Sequence, residues 1–114
     1  MPLLYVTHQE CSQHDPGAGH PERASRLTAA AEGLARAGVD ALVVDAEPID
    51  AAEVARVHDL AVPTRIEHLV AHGGGALDPD TTVSVRSGAA AARAAGAALT
   101  AIRMIDEGVA DRAF

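Results

Sequence analysis

Residues 87–107 read SGAAAARAAGAALTAIRMIDE, and this stretch decides the architecture. Its spacing predicts one long helix, with Ser87 as N-cap and Gly108 as the stop. The first three turns are small and apolar nearly all round, apart from Arg93. A helix of that kind is buried, and its small side chains let other backbones come close. A globule of 114 residues offers few places to surround a helix on every side. The helix therefore predicts neighbours on more than one face.

Working outward, Asp111-Arg112-Ala113-Phe114 reads as the beginning of a strand after that helix. Upstream, Leu3-Leu4-Tyr5-Val6-Thr7 and Ala41-Leu42-Val43-Val44 are short apolar runs of the buried-strand type. Between them, His8–Gly19 reads as a polar loop with Asp15-Pro16-Gly17 as a turn. A helix is expected from Pro21 to about Ala37, with Leu27, Ala30, Ala31 and Leu34 on one face and Gly38 ending it. Asp50 is placed to cap a short helix over Ala51–Val57, and a further helix is expected from about Pro63 to His72, closed by Gly73-Gly74-Gly75. Leu77-Asp78-Pro79-Asp80-Thr81-Thr82 reads as an acidic turn. The alternation predicts an α/β fold with parallel strands.

Composition narrows the function classes. Hydrophobic residues make up 48% of the chain, yet there is one Tyr, one Phe, no Trp, and twenty-six alanines. An alanine methyl buries little area, so a stable monomer is not expected from these residues alone. Sixteen acids face nine arginines and no lysine, giving a net charge of −7. That balance argues against nucleic acid and anionic membrane as partners. A single Cys11 offers no disulfide framework and suggests a reducing compartment. No signal peptide or membrane span is legible, so a soluble, cytoplasmic protein is expected.

Several residues carry possible chemistry. His8, His14, Asp15 and His20 lie within thirteen residues, but their spacing matches no finger pattern; hydrogen-bonded loop histidines are the plainer reading. In His58-Asp59 the acid either orients the ring or caps the next helix. His68 and His72, four apart, share one helical face without a third ligand or an intervening Glu. Asp78 and Asp80 can accept hydrogen bonds from a substrate amide or remain solvated in a turn. No nucleophile elbow, phosphate loop or Cys/His pair is present.

Three segments together carry a resemblance. His14-Asp15-Pro16-Gly17-Ala18-Gly19-His20-Pro21-Glu22-Arg23-Ala24-Ser25-Arg26-Leu27 resembles the first loop and helix start of class II-like and bacterial histone deacetylases. There the pattern is HD-x-G-x-x-HPE-R-P-x-R-L, and Ala24 departs from it where the family has proline. Val57-His58-Asp59 resembles the family's VH(S/D) element. Asp78-Pro79-Asp80-Thr81 with Ser87, Ala90–Ala92 and Ala94-Ala95-Gly96 resembles its D-x-DT…S…AA…AAG segment.

The resemblance is to the histone deacetylase and acetylpolyamine amidohydrolase superfamily, and it implies a three-layer arginase/deacetylase-like fold with a parallel sheet. It makes residues 1–114 the N-terminal part of a deacetylase domain. In that family the tandem catalytic histidines and the zinc ligands come later, so it implies no catalytic residue and no metal ligand here. It implies that Asp80, His20 and Pro21 wall the substrate pocket and that Arg26 flanks an internal channel. For the complete enzyme it implies zinc and acetylated protein or small-molecule substrates. The chain alone is then expected to bind no zinc and to be inactive. The alternative is a non-catalytic truncated paralogue that self-associates, as a homo-oligomer, or binds a partner through exposed apolar surface.

Overall fold

The computed structural model describes residues 1–114. Strand β1 (Leu3–Thr7) pairs in parallel with β2 (Ala41–Asp45), Leu4 opposite Leu42 and Val6 opposite Val44. On the other side of β1, residues 111–114 begin a third parallel line: Leu4 bridges Ala113, and the Leu4 and Val6 amides donate to the Arg112 and Phe114 carbonyls. The expected strand is present as a single β-bridge at Ala113 with its flanking backbone bonds.

Helix α4 (Ser87–Asp106) lies across one face of this sheet. Leu4, Val6, Ala46 and Ala110 form the core beneath it, with Ala97, Ala101, Met104 and Ile105 packed against them. Gly108 ends the helix at φ +77°, and Gly38 ends α1 (Ser25–Arg36) at φ +64°. Asp50 caps α2 (Ala51–Ala55) by accepting from the Glu53 amide. Asp59 accepts from the Ala61 amide at the start of α3 (Ala61–Ala71). Leu60 is the N-cap of α3 and has no side-chain cap bond, so Asp59 braces the turn into the helix and does not cap it.

Four local expectations are corrected. Helix α1 starts at Ser25, not Pro21, because the His20 ring takes the Glu22 amide and holds Pro21–Ala24 in a turn. Within the polar loop, Gln9–Gln13 form a 3₁₀ turn capped by His8. The acidic turn is the tip of an antiparallel hairpin of β3 (Gly75–Asp78) and β4 (Thr81–Val83), with Asp78 accepting from the Asp80 amide. Helix α4 is N-capped at Arg86 without a side-chain bond; Ser87 sits one position inside it.

The hairpin depends on the residue before it. Gly74 has φ +109°, and a Cβ there would stand 2.6 Å from the Val83 carbonyl oxygen. Only glycine turns the chain there without displacing β4.

Burial is sparse. Nine of 114 residues are buried, and the radius of gyration is 15.4 Å, against about 13 Å for a compact domain of this length. The far face of the sheet carries Tyr5 stacked on Phe114 at 5.9 Å, with Val43 62% exposed beside them. On α4, Ala91, Ala94, Ala95, Ala98, Leu99 and Ile102 face solvent. The prediction that α4 is surrounded is thus met on one face only. No helix is long and apolar enough to cross a membrane.

Candidate functional site

An open groove of about 540 Å³ lies between the first loop, α1, α3, the hairpin and the N-terminal half of α4. Its floor is apolar: Leu27, Ala30, Ile66, Leu77, Val83 and Ala90. Its polar groups are Cys11, His14, Glu22, Arg23, Arg26, Thr81, Thr82 and Ser87. An apolar groove with a few convergent polar groups is the usual form of a small-ligand site.

Segments more than sixty residues apart build this groove through side-chain bonds. The His14 Nδ1 lies 2.7 Å from the Ser87 hydroxyl, and His14 Nε2 lies 3.8 Å from Glu22 Oε2. Ser87 Oγ also accepts from the Ser84 amide at 2.7 Å and contacts the Ser84 hydroxyl at 2.9 Å. The Asp15 amide donates to Ser84 Oγ at 3.1 Å. Ser87 Oγ is therefore fully engaged, which suits a clip and not a nucleophile. Its hydroxyl fastens both the Ser84 turn and the first loop to the start of α4 at once.

That clip sets the residues that follow. His20 Nε2 lies 3.4 Å from the Asp80 carbonyl oxygen, so the first loop and the hairpin tip meet at the groove's edge. Asp80, His20 and Pro21 stand at this edge and do not line the groove; Arg26 does line it. The Asp80 carboxylate makes no bond within the chain and faces solvent. His14, Glu22 and Ser87 lie in the quoted motifs without an assigned site role and Cys11 lies in none, yet all four line the groove. Only the ordering of the chain around α4 brings them together.

The donor set does not make a zinc centre. No three His, Cys, Asp or Glu side chains converge anywhere in the chain. His8 Nδ1 accepts from the Glu10 amide, His14 is held by Ser87, and His20 is held by Glu22 and Asp80. These rings fasten loops, as the plainer reading of the sequence has it.

Replacing His14 with alanine is expected to free the first loop at a cost of about 1 kcal/mol. Hydrogen exchange at the Asp15 amide, now bonded to Ser84, reports it: exchange should quicken about fivefold. An unchanged rate would mean that the clip does not hold the loop.

Residues 20–114 match the histone deacetylase domain family. Among solved structures, the crystal structure of the HDA15 HD domain is similar over the whole chain, with a TM-score of 0.87 and 26% identity. The chain spans 34% of the length of that chain. No curated protein matches the sequence.

Proposed function

Because the chain belongs to the histone deacetylase domain family, we propose that its 114 residues form the N-terminal scaffold of a zinc-dependent deacetylase acting on acetyl-lysine or acetylpolyamine amides. In this reading the chain supplies one wall of the substrate groove, and the zinc and the proton-transferring groups belong to segments outside these residues. The observation that carries it is the convergence of the His14–Leu27 and Asp78–Ser87 segments on one apolar groove.

Each residue then has a mechanical part. The free Asp80 carboxylate at the groove's edge accepts a hydrogen bond from the substrate's amide and holds the acyl chain in register. His20 fixes the hairpin tip that carries Asp80, and Pro21 stiffens the turn after it. Arg26, which lines the groove, is given the part of flanking a channel behind it. The apolar floor excludes water from the acyl chain.

The uncovered faces support the same reading. Tyr5, Val43 and Phe114 on one side of the sheet, and the alanine face of α4 on the other, are where further layers of a three-layer domain would pack.

The test pairs two polypeptides. The 114-residue chain is expected to leave acetyl-lysine amides intact, with or without added zinc. A polypeptide continuing past Phe114 through a complete deacetylase domain is expected to hydrolyse them, and to lose about tenfold in kcat/KM on Asp80→Ala. Turnover with stoichiometric zinc in the 114 residues alone would sink the proposal. An extended enzyme indifferent to Asp80→Ala would remove Asp80 from it. Stable dimers of an inactive chain, seen by light scattering, would favour the self-associating module instead.

A further inference from the structure

We infer that His68 and His72 form a two-imidazole site for a divalent cation of the zinc, nickel and copper class at the C-terminal end of α3. The two residues are four apart and so share one helical face. Their ring centroids are 4.2 Å apart, tilted by 36°. Both side chains are exposed, while Ile66, Leu69 and Val70 on the same helix turn inward. The site therefore opens to solvent on the side of α3 away from the groove.

The tautomer of the His72 ring is set by the backbone. His72 Nδ1 lies 2.7 Å from the His68 carbonyl oxygen. A carbonyl only accepts, so Nδ1 donates to it and, in the neutral ring, Nε2 carries the lone pair. A backbone bond on the far nitrogen is the arrangement that orients histidine ligands in metal sites. No other hydrogen bond or ion pair in the structure uses either ring. This separates the pair from His8, His14 and His20, whose nitrogens are engaged with loop groups.

The setting favours a cation. The last carbonyls of α3 gather at this end, where the helix dipole is negative. An ion shared by the two rings would sit about 2.0–2.1 Å from each nitrogen, with water completing the coordination. Imidazole nitrogen suits zinc, nickel and copper and not magnesium or calcium. Two protein ligands give a weaker, exchangeable site than a full structural centre. A bound ion joins adjacent turns of α3 just ahead of Gly73–Gly75, and so stiffens the helix that leads into β3. This inference does not depend on the proposed activity.

Titration of the 114-residue chain with Zn²⁺ alone, followed by the histidine ring resonances in NMR, tests it. The His68 and His72 signals are expected to move together and saturate near one equivalent, with the His72 Nδ1 proton retained. His68→Ala and His72→Ala should each weaken binding about tenfold or more, and His58→Ala should leave it unchanged. Both rings lie on the surface, so the variants keep the helical content of the parent. Titration that moves His8, His14, His20 or His58 first, or single variants that bind as the parent does, would overturn the site. Ring signals unmoved at millimolar Zn²⁺ would overturn it equally.

Discussion

Gly96→Ala is expected to cost about 3 kcal/mol and to detach residues 46–49 from α4. Gly96 is buried at the closest approach of the helix to another backbone. An added Cβ would overlap the Glu47 carbonyl oxygen and stand 2.8 Å from its carbon and 2.9 Å from the Ile49 nitrogen. Those are backbone atoms, so no side chain can rotate away. They are also held from several directions. The Ile49 amide donates to the Ala92 carbonyl at 2.9 Å, the Glu47 amide to Thr100 Oγ1 at 3.1 Å, and Arg93 Nη1 to the Ala46 carbonyl at 2.8 Å. Moving the segment loosens all three. The Ile49 and Glu47 amides should therefore exchange with solvent about a hundredfold faster. Gly88→Ala is the matched control. Its Cβ would meet only Val70 and Ile66 methyls at 3.7 and 3.9 Å, ordinary contact distances. With a better helix former it should be neutral or stabilising by up to about 1 kcal/mol. Equal tolerance of both substitutions would contradict the close approach.

Leu4→Ala is expected to cost a similar amount, about 3 kcal/mol, by a different route. Leu4 is the one large side chain with no exposed surface, and the core closes around it: Val6, Ala46 and Ala110, with Met104 and Ile105 beside them. Half of the cluster around it is alanine (Ala46, Ala97, Ala101 and Ala110), whose short side chains cannot swing in to fill the space. The loss falls on β1, which holds both β2 and the 111–114 line. Protection of the Leu4, Val6 and Phe114 amides should fall by about two orders of magnitude. Val43→Ala, on the uncovered face, should change it little.

What the sequence made legible follows from where its signals are local. Both strands, the span of α4 and its stop at Gly108 rest on apolar runs and a glycine, and all appear as expected. The start of α1 was not legible, because the Glu22 amide is claimed by the His20 ring and not by a helical turn. The hairpin at 75–83 was hidden because its strands are short and its tip reads as an acidic turn. Ser87 has N-cap chemistry but uses it on Ser84 and His14, a tertiary arrangement with no sequence period. The motifs named His14, His20 and Asp80, which the fold places in the groove or beside it; Ile66 and Leu77, which complete its interior, belong to no motif and needed the fold.

The central claim is that these residues are a scaffold whose apolar faces are meant for further layers. A closed domain of this length unfolds with an enthalpy of roughly 70–80 kcal/mol near 60 °C in one sharp transition. Scanning calorimetry of the 114-residue chain is the most direct measurement. The structure, with nine buried residues and bare faces on sheet and helix, predicts a broad transition with well under half that enthalpy. A sharp two-state transition of a monomer with the full enthalpy would contradict it.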